Sequence, residues 1–589
     1  MASTPLESEY DFIVCGGGTS GCVLAGRLAE SPVTKILVIE AGQHNEGLED
    51  VHMPGGFGNL LNKETDWNIA SEPAPGINGR QIKLSRGKFL GGTSGCNGTV
   101  IVKGSKLDYD DWGVEGWGGE EFFRYMQKAE TFHPKPWFQA STKSHGYNGP
   151  LHTEIPDVAP ISNLVLESMM SHGLPLDHDL FAHGEKSVGC GYTARTTYKG
   201  TRSTAADFIT KDYTRSNVTI ATQTYVDKVL FDRDSNGELS ATGVQILKQD
   251  GRTEIIRAKK EVILTAGAFC SPALLNRSGI GAPEELKSLG VETLVPLPGV
   301  GKNLMDHMVV FMFYETEAGL THDEHVHHGD GLVKSQNLWR ETRRGFQANY
   351  PSGVFAFTRL DDRLSDSELW KSAKRLPGRD PMGLTLQQPS VEYWNTQAYG
   401  GPNLIHNPEE GTYVFGMVTE LFGQQSRGRV VTRSTDPRKA PEVSCNHLSE
   451  PLDVEVLAEG CRLSNDIMMS HESTSKVIKG AWPRDSQHHK YTSREQWADY
   501  VRNNAETCFH YSGTCRMGSL DDPEVVVDSK LRVKGVKKLR VADCSIIPIL
   551  PGGHAQMPAY GIGEKAADLI KAAWGLDSSG AIMETGFRL

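Results

Sequence analysis

Gly16, Gly18 and Gly21 stand in GxGxxG spacing in a chain of 589 residues, a triplet suited to holding a dinucleotide. The first glycine permits a tight turn, the second lets a pyrophosphate approach the backbone, and the third allows a helix to pack closely on a strand. Thr19 and Ser20 lie within the triplet and are assigned to the same site, where helix N-terminal amides would meet the phosphates. Glu40 follows 19 residues after Gly21, with Ala41 beside it. A carboxylate there can accept from ribose hydroxyls and would repel the extra phosphate of NADP, but it does not choose between NAD and FAD. A second polar concentration, His322, Asp323, Glu324, His325, His327 and His328, offers metal-ligating residue types. Its spacing matches no helical or hairpin chelate, so a solvated loop is expected and no metal.

The elements around the triplet have the pattern that the site requires. Residues 11–15 (DFIVC) and 36–39 (ILVI) are short apolar runs of buried-strand type, and the segment between them reads as a glycine turn followed by a helix. Together they form a βαβ unit. A further strand, glycine turn and helix occupy 261–277, while 539–550 is strand-like and 561–574 helical. The expected fold is α/β, a Rossmann-like domain interleaved with a second domain built on a mostly antiparallel sheet. The first is drawn as 8–150, 200–307 and 506–575, and the second as 151–199 and 308–505. Strand-like runs at 411–421 and 427–433 fall in the second, and 317–350 reads as a long loop with some helix.

With 61 basic and 73 acidic residues the chain carries a formal charge of -12, which argues against nucleic acid or an anionic membrane as partner. A bound anionic cofactor is compatible with that charge, because backbone amides can hold a pyrophosphate. No run of eighteen apolar residues occurs, so no membrane span is expected. Ten cysteines without paired metal-type spacing suit free thiols in a reducing compartment. The first residues lack a basic stretch followed by an apolar one, and a cytoplasmic location is expected. Phe587-Arg588-Leu589 only faintly resembles a peroxisomal tail.

Four stretches then resemble, in order, the glucose–methanol–choline family of FAD-dependent oxidoreductases. They are RGKFLGGTSGCNG (86–98), TAGAFCSPALLNRSGIG (265–281), GVGKNLMDH (299–307) and the segment from Val527 to Lys571. With the first glycine triplet the resemblance spans about residues 11 to 573. It implies FAD as cofactor, with Gly91, Gly92, Thr93 and Asn97 lining the pyrophosphate and ring, Val226 at the adenine and Asp543 near the ribityl chain. Arg86, Gly98, Ala266, Gln556 and Met557 are assigned to the same site. Cys96 departs from the pattern, since relatives carry an aliphatic residue there and choline oxidases a histidine bound covalently to flavin. A small buried thiol is the expectation, and a thioether to the flavin the alternative.

The resemblance also gives two histidines a task. Removing hydride from an alcohol carbon requires the hydroxyl proton to leave nearby, and imidazole, with a pKa near neutrality, suits that. His510 in CFHYSGTCRMG matches the family's His-x-x-Gly-Thr element. His554, 44 residues later, stands where relatives carry histidine or asparagine. His510 is assigned as general base and His554 as the group that hydrogen-bonds the substrate oxygen, although the same residues admit the reverse. Formate oxidases place arginine at the position of His554, which disfavours formate. The implied reaction is oxidation of a primary alcohol, or an aldehyde hydrate, with oxygen or another acceptor re-oxidising the flavin. The alternative is a lyase, cyclase or photodecarboxylase that retains FAD.

Overall fold

The computed structural model describes residues 6–349, 351–401 and 407–576. Residues 12–15 of the Glu9–Cys15 strand and the whole of Ile36–Ile39 are apolar and buried because both of their faces are covered, as parallel strands require. They pair in parallel with Ile13 opposite Leu37, and on its other side Ile13 lies opposite Val262 of the Thr253–Leu264 strand. Val218–Ala221 and Leu539–Val541 extend this parallel core. Thr224–Arg233 and Leu239–Lys248 add an antiparallel hairpin at one edge. The helices Thr19–Leu28 and Gln556–Trp574 pack together so closely that a side chain on Gly563 would come within 2.7 Å of the Ser20 carbonyl. Val14, Leu24, Val38, Ile263 and Ile562 are fully buried between the layers, and each such side chain contributes about 1.5–3 kcal/mol.

The second large sheet runs Ile478–Trp482, Met308–Thr316, Tyr413–Leu421, Val391–Thr396, Ser352–Thr358 and Gly189–Gly191, with every neighbour antiparallel. Ala505–Thr507 pairs with its Met308–Thr316 strand, so this short strand straddles the expected 505/506 border. The expected 150/151 border likewise runs between two strands, Glu130–His133 and Leu151–Glu154, that pair in parallel. One face of the large sheet packs on the Pro451–Ser470 helix, where Tyr393 donates to the Gly460 carbonyl at 2.9 Å. Side chains alternate along a strand, so the other face presents Val309, Glu420, Glu392 and Phe357, which lie opposite one another across the register.

Three local expectations change. The strand expected over 539–550 stops at Val541, because Asp543 turns its carboxylate to the amides of Ser545 and Gly267. RGRVVTR forms only Arg429–Val431, in a two-stranded ribbon with Glu442–Ser444 outside the large sheet. The polar run at 322–328 is only in part a solvated loop, with Glu324 exposed. Asp323 is fully buried and accepts from Thr321 Oγ1 at 2.6 Å, the Tyr399 amide at 2.9 Å and the Val414 amide at 2.8 Å. His327 and His328 reach the carbonyls of Tyr399 and Thr412, at 2.8 and 2.9 Å. These residues moor the segment that leads into the Gly331–Thr342 helix. All ten cysteines are free. Among the described residues no helix is long and apolar enough to cross a membrane. Phe587–Leu589 lies outside the described residues.

Candidate active site

A cavity of about 860 Å³ opens between the glycine turn and the second sheet. Of the residues singled out from the sequence, Gly16, Gly18, Thr19, Ser20, Glu40, Ala41, Arg86, Gly92, Thr93, Cys96, Asn97, Gly98, Val226, Ala266, Asp543 and Gln556 line it, as do His510 and His554. Gly21, Gly91 and Met557 stand behind this lining. A side chain on Gly21 would begin 2.0 Å from the Gly16 carbonyl, so its absence lets helix and strand touch. Gly91, at φ +91°, turns the chain and donates its amide to the Gly17 carbonyl at 2.7 Å. Met557 is fully buried in the core.

The residues at this end of the cavity fit a flavin dinucleotide. Gly16 adopts φ +122° with its missing Cβ 2.5 Å from the Thr265 carbonyl, and that of Gly92 would lie 2.9 Å from Gly18 Cα. The two glycine turns therefore leave bare backbone facing the cavity, where a pyrophosphate can approach. Glu40 accepts from the amides of Gly42 and Gly17 at 2.8 and 3.0 Å, while burial lifts its pKa to about 7. Gln556 Nε2 and Arg86 Nη1 are buried donors without a partner among the described residues. Unpaired buried donors are costly, and the phosphate and ring acceptors of FAD would satisfy them. Asp543 also accepts from Ser271 Oγ at 2.6 Å, tying down the start of the Gly267–Arg277 helix. Asn97 donates to Gln556 Oε1, and its own oxygen accepts from Arg202 at 2.8 Å. Cys96 packs with Val51, Leu60 and Phe89, and burial pushes its thiol up to about 12, so it is protonated at neutral pH.

At the other end, His510 and His554 approach within 4.9 Å between ring centroids. Asp306 holds the turn that carries His510. Its carboxylate accepts from the His510 amide at 3.0 Å and from Thr507 Oγ1 at 2.6 Å. Val102 accepts from the His554 amide at 2.9 Å. His510 Nδ1 lies 3.0 Å from His307 Nδ1 and 3.3 Å from Glu420 Oε1. His554 Nε2 lies 2.8 Å from Glu392 Oε2 and 3.5 Å from Glu420 Oε2. Glu392 and Glu420 are fully buried and directly opposed across the sheet register. Like charges so placed are unfavourable unless cations or protons offset them.

The imidazoles do this unequally. Burial dominates at His510 and lowers its pKa to about 4, against the opposing pull of Glu420. Burial also opposes the charge on His554, but Glu392 and then Glu420 outweigh it and raise His554 to about 10. Burial lifts Glu392 to about 7, with His554 opposing and Glu420 adding to the rise. At Glu420, hydrogen bonds from His307, His510 and His554 overcome burial and hold the carboxyl well below its ordinary range. Asp306, His307, Glu392 and Glu420 were not among the residues singled out from the sequence. The first two lie in the 299–307 stretch, and each glutamate is the lone acid in an apolar strand, the one sequence signal that marks them.

Two family models, both described as GMC oxidoreductase, match residues 10–309 and 424–563. The chain is 32% identical over 597 residues to an oxygen-dependent choline dehydrogenase of Burkholderia thailandensis, covering 97% of this chain and 95% of that protein. It is 33% identical over 596 residues to a glucose dehydrogenase (FAD, quinone) of Drosophila melanogaster, covering 97% and 88%. A solved formate oxidase superposes with a TM-score of 0.88 at 30% identity, covering 98% of this chain and all of that one. Since these matches take in both ends of the cavity, the chain belongs to the glucose–methanol–choline (GMC) oxidoreductase family, FAD-dependent enzymes that act on CH–OH donors.

Proposed function

We propose that this enzyme oxidises a primary alcohol, or an aldehyde hydrate, to the carbonyl compound, with His510 as general base and His554 as the donor to the substrate oxygen. The observation that carries this reading is a pair of imidazoles on one cavity wall, 4.9 Å apart between ring centroids, with His554 turned to Glu392 and His510 to His307 and Glu420. These surroundings lower the pKa of His510 to about 4 and raise that of His554 to about 10. Such a split separates base from acid. His510 is neutral with Nδ1 turned to His307 and Glu420, which leaves the Nε2 lone pair to accept a proton. His554 is a cation with Nε2 committed to Glu392, which leaves Nδ1–H to donate.

An alcohol oxygen held between the rings loses its proton to His510 while His554 stabilises the negative charge that develops on it. An electron-rich oxygen of this kind expels hydride from the carbinol carbon. When bound, FAD supplies the hydride acceptor. The imidazolium formed at His510 is offset by the Glu420 carboxylate 3.3 Å away. Oxygen or another acceptor then completes turnover.

Anaerobic stopped-flow reduction, followed at the flavin band, tests the assignment. His510→Ala should slow reduction by about 10²–10⁴-fold with FAD still bound. His554→Asn should lose less than His554→Ala, because an amide still donates. Removing both histidines should cost less than the product of the single losses, since both act on one oxygen. Near-wild-type reduction in both alanine variants would refute the proposal.

A further inference from the structure

The wall that adjoins His554 is built from aromatic rings. Phe355 and Trp394 lie opposite each other on paired strands and stack with centroids 5.8 Å apart and planes 16° from parallel. Both rings meet His554 edge-on, with planes 63° and 70° apart and centroids at 6.4 and 6.0 Å. Behind Phe355 the guanidinium of Arg195, fully buried, sits 5.0 Å from the ring centroid and donates to the Ser352 carbonyl at 3.0 Å. Val309 and Phe311 continue the same side of the cavity.

Resting on the reading of His510 and His554 as the catalytic pair, we infer that the alcohol is carried by a flat, uncharged aromatic group. The substrate class is an arylmethanol, not a quaternary amine, a polyol or a carboxylate. Charge decides against a quaternary amine. Its binding needs the negative face of an aromatic ring or a free carboxylate. Here Arg195 already occupies one side of the Phe355 ring. Both nearby carboxylates are turned to imidazoles, Glu392 to His554 and Glu420 to His307 and His510.

The wall beside the histidines also disfavours a polyol, because the side chains of Val309, Phe311 and Phe355 carry no hydrogen-bonding group to meet its several hydroxyls. Thr396 Oγ1 is already used by the Gly416 amide and the Ala398 carbonyl, at 2.7 and 2.8 Å. Gln347 donates through Nε2 to Ser335 Oγ at 3.2 Å, while its buried Oε1 has no partner among the described residues. An anionic substrate meets a His554 charge already balanced by Glu392 2.8 Å away. A neutral ring instead finds two aromatic surfaces in the edge or offset geometry that such pairs favour, and its carbinol reaches the histidines.

Two measurements on the FAD-loaded enzyme test this. In the first, benzyl alcohol, choline, glucose, formate and ethanol are compared by anaerobic flavin reduction. The expected result is a kcat/KM for benzyl alcohol at least about 10-fold above each of the others, with Trp394→Ala lowering it by at least about 10-fold and the value for ethanol by less than about 3-fold. Faster reduction by choline, glucose or formate overturns the inference. The second uses His510→Ala holoenzyme and follows ligand binding by the perturbed flavin spectrum, which needs no turnover. Benzaldehyde should bind at least about 10-fold more tightly than tetramethylammonium or formate, and the reverse order overturns the inference. If benzaldehyde binds tightly in that variant while no alcohol reduces the wild-type flavin, the wall stands and the catalytic reading of the histidines falls.

Discussion

Replacing Glu392 by glutamine keeps the shape of the side chain and removes one of two carboxylates that face each other across paired strands. The surviving partner of His554 is then Glu420, at 3.5 Å in place of the 2.8 Å contact. His554 has been raised from an ordinary 6.5 to about 10, with Glu392 the largest favourable influence against burial. An adjacent opposite charge moves a pKa by about 1–3 units. Glu392→Gln should therefore lower that of His554 by about two units, a loss of about 3 kcal/mol in holding the proton. His554 acts protonated, so its contribution is present below its pKa and lost as pH rises through it. In the wild type, flavin reduction should be level from about pH 5 to 9. It should fall on the acid side only as His510 takes up a proton near pH 4. In the variant the rate should begin to fall above about pH 8, approaching tenfold per pH unit. The assay is anaerobic stopped-flow from pH 5 to 9.5, with flavin content and circular dichroism confirming the fold at each end. A variant profile that coincides with the wild type up to pH 9.5, or that falls instead on the acid side, refutes the reasoning.

Two further outcomes are expected. Gly21→Ala places a methyl 2.0 Å from the Gly16 carbonyl; it should cost about 1–3 kcal/mol, seen as a lower Tm and a reduced flavin-to-protein absorbance ratio, and full FAD content with an unchanged Tm would contradict the packing argument. Cys96, kept protonated by burial, should have no bond to the cofactor, so acid precipitation should release all the FAD and Cys96→Ala should stay yellow. Flavin that remains with the precipitate in the wild type and not in Cys96→Ala would show a thioether instead.

What the sequence determined by itself was local. The GxGxxG turn, its flanking strands and the helix after it follow from steric rules acting within some 30 residues, so Gly16, Gly18 and Gly21 could be assigned work before any fold was known. Resemblance added the motifs around His510 and His554, because each is carried by contiguous residues. Tertiary structure decided the rest. Glu392 and Glu420 are ordinary single acids in two apolar strands, and only the antiparallel register makes them opposing neighbours beneath the same imidazole. Asp306 looked like one more motif residue, yet it supports the His510 backbone from 204 positions away. The anchor within the polar run at 322–328 was not legible, because composition cannot show that amides 76 and 91 residues further on converge on Asp323. Two histidines with the same intrinsic pKa end on opposite sides of neutrality. That difference comes from burial and from which carboxylate lies within 3 Å, and neither exists until the second sheet closes over the first domain.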